Sequence, residues 1–321
     1  MITSISNTFP RDMLRIEYML GNTCNYKCNY CFPGSNEGDQ PWPDVTVAKA
    51  HFYHLLKQYQ AQGKTKFQLF IVGGETTVWA DFADFCSYLK EHFNVTIEVS
   101  TNGSRSINWW NKNGQYFDHV AISVHHEFVK IPHIIEVGDL LYEKGVYVNA
   151  DVLMDPNNFD QCVSNIEQLK NSKHQWPIIA KIVHYDGHHR YNNEQLAYLK
   201  DNMKRFPNKE WHFSTTKKPD IEIVVKSGDT DIVTTDDGWL IKHNKQIFTG
   251  WQCDLGVEFI KIYGDGTITG NCHQHLYGLD FDYKLYDPNF VKEFKPVIKP
   301  VTCQQALCGC NRETIIRKHR V

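Results

Sequence analysis

"GNTCNYKCNYCFPGSNEG", residues 21–38, follows the apolar run "LRIEYML" (14–20) and holds Cys24, Cys28 and Cys31. The spacing is C-x3-C-x2-C. Offsets of four and three also describe one face of a helix. Here Gly21-Asn22 opens the segment and Pro33-Gly34-Ser35-Asn36 follows it, which leaves few residues for a helix. The stretch reads as a loop at the C-terminal end of a strand. Three thiols are one short of a closed zinc site, and an odd count suits no disulfide framework. Thiolates in a tight loop suit an iron–sulfur cluster. With three of them, one iron of a four-iron cube keeps an open coordination site.

Outward from this loop, short runs rich in Ile, Val and Phe recur: "KFQLFIV" (66–72), "VTIEVS" (95–100), "HVAISV" (119–124), "VYVNADVL" (146–153) and "PIIAKIVH" (177–184). Amphipathic stretches near 46–62, 80–92, 134–144 and 160–171 lie between them, with a weaker one at 107–114. A last helical pattern, "NNEQLAYLKDNMKRF", follows the sixth run. Six strands alternating with helices predict an α/β fold of β/α units around a parallel sheet. After residue 205 the texture changes. "IEIVVKSGDTDIVTTDDGWLIKHNKQIFTGWQC" has short β-type runs broken by Gly and Asp, as in antiparallel hairpins. The expected division is a first domain over 1–205, a β-rich connection over 206–250 and a cysteine-rich module over 251–321.

The chain has 321 residues, long enough for a substantial core. Lys plus Arg number 34 against 37 Asp plus Glu, so nothing in the charge points to nucleic acid or an anionic membrane. The longest apolar runs are strand-sized, far below the roughly 18 residues of a membrane helix. "MITSISNTFPRDM" has no apolar signal region, and a cytoplasmic protein is expected. Ten cysteines fall as three at 24–31, five at 253, 272, 303, 308 and 310, and two alone at 86 and 162. In a cytosolic chain such clusters read as metal sites rather than disulfides. Cys86 and Cys162 read as small core residues.

"CNYKCNYC" resembles the signature of the radical S-adenosylmethionine (SAM) superfamily, C-x3-C-x-aromatic-C. The resemblance implies a [4Fe-4S] cluster on Cys24, Cys28 and Cys31, with SAM chelating the open iron and Tyr30 lying along the adenine. "IVGGETT" (71–77) is similar to the family's GGEP motif, with Gly73, Gly74 and Glu75 in place and Thr76 where proline is common. Glycines at a strand end let backbone approach a ligand, and Glu75 offers a carboxylate for an ammonium. "EVSTNGS" (98–104) brings Ser100, Thr101 and Asn102 as ribose contacts. "AISVHHE" (121–127) puts Ser123, His125 and His126 at the end of the fourth strand, with Ser123 a further SAM contact. Polar residues at the C-terminal ends of parallel strands are where such folds build their sites. The implied fold is a partial (β/α)6 TIM-type barrel over roughly residues 14–205, with SAM across its mouth.

In the C-terminal part, "EFIKIYGDGTIT" alternates around Gly264-Asp265-Gly266 and reads as a hairpin bracketed by Cys253 and Cys272. "CQQALCGC" supplies Cys303, Cys308 and Cys310. Spacing alone leaves zinc and iron–sulfur open. A hairpin with cysteines at both ends and a close cysteine group after it resembles the twitch domain, the shortened relative of the SPASM domain. That resemblance implies one auxiliary iron–sulfur cluster, of [4Fe-4S] type, on Cys253, Cys272, Cys308 and Cys310, with Cys303 a substitute. His273 and His275 follow Cys272 closely; they could serve as ligands or as donors to them, and the preferred reading is neither.

The implied activity is reductive cleavage of SAM to a 5′-deoxyadenosyl radical that takes hydrogen from a substrate carbon. Oxidation, cross-linking or epimerisation would follow, with an electron donor such as flavodoxin or ferredoxin. The substrate is a peptide or a small molecule. The loop "HYDGHHRYNNE" (184–194) offers Tyr185, Asp186, His188, His189 and Arg190 toward the mouth, a solvated loop being the other reading. Two non-enzymatic alternatives stand beside this: an iron–sulfur or zinc protein serving as electron carrier or scaffold, and zinc-stabilised nucleic-acid binding.

Overall fold

The computed structural model describes residues 2–183, 191–202, 223–227, 230–234, 240, 243–270, 283–308 and 316–321. Strand β1 (Ile2–Asn7) stands apart from the strands that follow it. Those are β2 (Met13–Met19), β3 (Lys66–Val72), β4 (Val95–Thr101), β5 (His119–Val124), β6 (Tyr147–Met154) and β7 (Ile178–Ile182). They lie side by side in chain order, and every neighbouring pair is parallel. Helices α1 (Val45–Ala61), α2 (Phe82–His92), α3 (Ile107–Asn113), α4 (Ile131–Glu143) and α5 (Phe159–Leu169) make the crossovers, and α6 (Asn193–Asn202) follows β7. Right-handed crossovers that always step in one direction put every helix on the same face of the sheet. That geometry curls a sheet toward a barrel instead of winding it both ways.

Alternation along the strands follows from this. Leu14, Ile16 and Tyr18, Phe67, Leu69 and Ile71, and Ile97 and Val99 are buried in one apolar core. Val120, Ile122, Val148, Val152 and Ala180 continue that core across the sheet. Phe52, Leu55, Phe85, Val137 and Ile166 complete it from the helices. Cys86 and Cys162 are fully buried in it, as expected of small apolar residues. Helix α1 starts where Asp44 accepts from Val47 N at 3.0 Å, and α3 where Ser106 caps Trp109 N at 3.3 Å.

The remaining elements are β8 (Ile223–Ser227), β9 (Thr230–Thr234), β10 (Gln252–Cys253), β11 (Phe259–Ile262), β12 (Ile268–Thr269), α7 (Phe290–Glu293), β13 (Val301–Thr302) and β14 (Lys318–His319). The expected hairpin around Gly264-Asp265-Gly266 is β11–β12, paired at Lys261–Thr269 and Ile262–Ile268. It does not stand alone. β11 runs parallel to β2 and extends the barrel sheet to the order β12-β11-β2-β3-β4-β5-β6-β7. A second sheet, antiparallel, has the order β13-β10-β14-β1-β8-β9. Sheet membership therefore crosses the expected boundaries: the first strand of the chain belongs with the last, and the C-terminal hairpin belongs with the barrel.

A buried ion pair fastens these crossings. Arg317 pairs with Glu258, both under one-tenth exposed. Arg317 N also donates to Glu258 Oε1 at 2.7 Å, and its Nη2 to Asn7 O at 3.1 Å. Asn7 Nδ2 reaches the same carboxylate at 3.3 Å. One carboxylate thus holds the start of the chain, the approach to β11 and the end of the chain. Removing one partner strands a buried charge, at a cost of about 3–5 kcal/mol. Glu258→Ala should lower the stability measured by urea denaturation by that amount, while Glu258→Met with Arg317→Met should recover much of the loss.

Candidate metal centre

The loop bearing the three cysteines is built as a continuation of strand pairing. Leu20 N donates to Val72 O at 2.8 Å, Gly74 N to Gly21 O at 2.9 Å and Glu75 N to Thr23 O at 2.8 Å. The parallel β2–β3 ladder therefore runs past the sheet edge, up to the residue before Cys24. Backbones this close leave no room for side chains. A Cβ on Gly74 would lie 2.2 Å from Thr23 O, and one on Gly73 (φ +150°) 2.5 Å from Gly21 O. The glycines of "GGETT" serve the cysteine loop directly, whatever else they meet.

Glu75, expected to offer its carboxylate to an ammonium, has that carboxylate engaged by donors of its own chain. Glu75 is fully buried. Its Oε1 accepts from Thr77 N at 3.1 Å, Thr77 Oγ1 at 2.6 Å and Thr101 Oγ1 at 2.7 Å, and its Oε2 accepts from Asn102 N. Burial pushes this carboxyl above its usual range, opposed by those donors. The side chain ties the loop after β3 to the end of β4. Thr76, in the usual place of proline, opens the single 3-10 turn Thr76–Val78, a first helical position where proline and threonine are both tolerated. Asn102, expected as a ribose contact, has its side-chain amide engaged in the same way. Its Nδ2 donates to Asn25 Oδ1 at 2.9 Å, and its Oδ1 accepts from Ser104 N at 3.0 Å. Asn25 follows Cys24, so Asn102 clasps the cysteine loop from β4. Ser100 and Ser123 lie on the helix-free face of β4 and β5, opposite Ala121 and Asp151 in register.

Tyr30 is 7% exposed, and its ring stacks on His125 (centroids 5.9 Å apart, 17° between planes) and on His126 (5.7 Å, 25°). Its hydroxyl lies 3.2 Å from His125 Nδ1. Burial, helped by His126, pushes the His125 imidazole down to about 4, which keeps it neutral. His126 Nε2 stands 3.5 Å from the buried Asp155 carboxylate. Asn29 N donates to Glu127 Oε2 at 3.2 Å. The far side of the cysteine loop is thus seated on the residues after β5. His125 and His126 stand at the strand end expected from sequence, but their role with Asp155 as the seat of the cysteine loop was invisible in spacing, because Tyr30 and Asp155 meet them only through the fold.

Cys28 is buried, and Cys24 and Cys31 are half-buried. Burial raises all three thiols, Cys28 to about 12, with Glu127 and the neighbouring cysteines adding to it. Such thiols need a metal to become thiolates. Tyr26 N donates to Cys24 Sγ at 3.3 Å, the kind of amide contact that suits a cluster thiolate. Among the described residues no group of three His, Cys, Asp or Glu converges to hold one metal ion. Three thiols that each bind a different iron of a cube do not need such convergence. The donor set fits an iron–sulfur cube with one iron left without a protein thiol.

In the second sheet, burial raises the Cys253 thiol, and Cys253 pairs with Val301 on β13, two residues before Cys303. Cys303 and Cys308 are buried in one apolar cluster, and Cys308 N donates to Gln246 O at 2.9 Å. Cys272, Cys310, His273 and His275 lie outside the described residues, as do Tyr185, Asp186, His188, His189 and Arg190.

Residues 18–143 match the family model described as "Radical SAM superfamily". This segment of the chain is similar to a radical SAM domain. Among curated proteins, GTP 3',8-cyclase of Edwardsiella ictaluri is 26% identical over 118 residues, 36% of this chain and 35% of that protein. GTP 3',8-cyclase of Photorhabdus laumondii is 28% identical over 126 residues, again 36% and 35%. The matched region spans about a third of the length of these relatives. Two solved structures share the fold. Streptococcus suis SuiB has a TM-score of 0.51 at 13% identity, over 87% of this chain and 64% of that one. Histidine-tagged anSMEcpe with bound AdoMet has 0.51 at 16% identity, over 88% and 79%. The radical SAM match covers β3, the "GGETT" turn, β4 and β5, the parts that hold the cysteine loop. Among the described residues no helix is long and apolar enough to cross a membrane.

Gly74→Ala should push the Thr23 carbonyl aside, cost about 1–3 kcal/mol of stability, and lower the iron retained by anaerobically purified protein. Iron analysis beside a thermal melt checks it; unchanged iron would contradict the latch between the two loops.

Proposed function

We propose that the protein is a radical SAM enzyme acting on a small molecule or peptide. The observation that carries the reading is the three-cysteine loop latched to the "GGETT" turn by continuous backbone pairing. Cys24, Cys28 and Cys31 would hold a [4Fe-4S] cluster with SAM at its open iron. When bound, that pair supplies reductive cleavage of SAM and hydrogen abstraction from a substrate carbon.

The chain's own residues then have defined tasks. Glu75 and Asn102 fix the loops around Cys24. Tyr30, stacked on His125 and His126, fixes the other end of the loop by Cys31. Exclusion of water falls to the packed surface of Tyr26, Tyr30, Val183 and Leu153 around Cys28. An auxiliary iron–sulfur cluster of the twitch type on the C-terminal cysteines belongs to the same proposal. Cys303 directly follows β13, which pairs with the strand of Cys253, and is a candidate substitute ligand in this proposal. The electron donor would be a flavodoxin or ferredoxin.

Anaerobically purified protein, reduced in the presence of SAM, should form 5′-deoxyadenosine. Iron should approach about eight per chain if both cubes are present. Replacing Cys24, Cys28 and Cys31 by Ala should abolish SAM cleavage and leave about four. A full first cluster without SAM cleavage would refute the enzymatic reading.

A further inference from the structure

The strands of the barrel have a second face, and beside apolar residues such as Phe70, Val72, Leu153 and Ile179 it carries a run of polar ones where a filled barrel is lined with branched apolar residues. Glu17, Gln68, Glu98, His119, Asn149, Asp151 and Lys181 alternate with the apolar residues that face the helices. They form two connected stretches across the sheet. On one side Lys261 of β11 pairs with Glu17 of β2 at 3.1 Å. On the other, Gln68 Nε2 donates to Glu98 Oε1, and His119 Nδ1 stands 3.4 Å from Glu98 Oε2. His119 Nε2 lies 2.6 Å from Asn149 Oδ1, and Asn149 Nδ2 donates to Asp151 Oδ1 at 2.9 Å. Because the Asn149 amide is committed to the Asp151 carboxylate, its oxygen faces the imidazole, and Nε2 is the donor there.

The ribbon is tight at its base and loose toward the mouth. Side-chain exposure rises from 9% at Glu98 and 14% at His119 to 21% at Asp151 and 35% at Lys181. The last link, Lys181 Nζ to Asp151 Oδ2, is 3.6 Å, beyond hydrogen-bond length. Among the described residues Asp151 is the ion-pair partner of Lys181, so an ammonium with three donors keeps capacity for an acceptor. Lys181 is opposite Leu153 in register, and Leu153 packs against the cluster loop beside Cys28 and Tyr30. An apolar substrate on this face would leave its polar atoms without water or partner.

We propose, resting on the radical SAM reading, that this face binds a small polar substrate through an anionic group, carboxylate or phosphate, on Lys181. The acceptor enters the loose Lys181–Asp151 link. Glu98, His119 and Asn149 are positioning residues that keep the Asp151 carboxylate beside the ammonium. The neighbourhood of Lys181 and the cluster loop puts the rest of such a molecule at the radical chemistry.

The test uses cluster-loaded protein, reductant and SAM. The probe is a protein-free bacterial small-molecule extract, split by anion exchange into retained and unretained fractions. The retained fraction should raise 5′-deoxyadenosine formation, with one of its compounds consumed by mass spectrometry. Lys181→Met should need about tenfold or more of that fraction for half-maximal stimulation, as expected for losing a charge-assisted hydrogen bond. Lys181→Arg should restore most of the response, and Lys170→Met, at the exposed C-cap just past α5, should behave as the parent protein. Prior treatment with phosphatase should abolish the stimulation if the group is a phosphate ester and spare it if it is a carboxylate. Stimulation by the unretained fraction alone, stimulation by no fraction, or a Lys181→Met response equal to the parent's overturns the proposal. If the parent protein cleaves no SAM under any condition, the enzymatic reading itself has failed.

Discussion

Gly74 has no space for a side chain, and much of the site follows from that. A Cβ would sit 2.2 Å from Thr23 O, so the loop after β3 can lie flat against the loop after β2 only as glycine. Once it does, Gly74 and Glu75 donate to Gly21 and Thr23, and the carboxylate of Glu75 turns inward to gather Thr77, Thr101 and Asn102. Asn102 then reaches Asn25. Three strand ends are thereby joined around the first cysteine before any cofactor is considered. The three thiols are presented by a preformed framework, the condition under which a metal site holds its geometry.

The cysteine loop and the six β/α units were legible because each carries a local signal: thiol spacing in one case, apolar runs separated by helical periods in the other. Strand β1 was not. "ITSISN" carries two serines, a threonine and an asparagine in six residues, and its partners are more than 200 positions away at β8 and β14. The internal partners of Glu75 were hidden for a related reason. Its type suits an ammonium ligand, and only the position of β4 reveals that four donors already surround it. The Arg317–Glu258 pair, which joins the two ends of the chain, likewise has no local trace.

The polar face of the barrel did leave a trace that periodicity can recover. Central parallel strands, covered on both faces, are usually near-continuous apolar runs. Here "RIEYM", "FQLF" and "VNADV" alternate instead. In a strand already assigned to a parallel sheet, such alternation is a statement about the face without helices. That face carries a run of polar residues among apolar ones, and Lys181 and Asp151 meet on it near the cysteine loop.

The central claim is that Cys24, Cys28 and Cys31 hold a cube whose remaining iron is open to SAM. Electron paramagnetic resonance of the reduced protein, recorded before and after addition of SAM, tests it most directly. The account predicts that SAM changes the signal of one cluster and that this change is absent when the three cysteines are replaced by alanine. A reduced cluster on the intact loop whose spectrum is indifferent to SAM would contradict it.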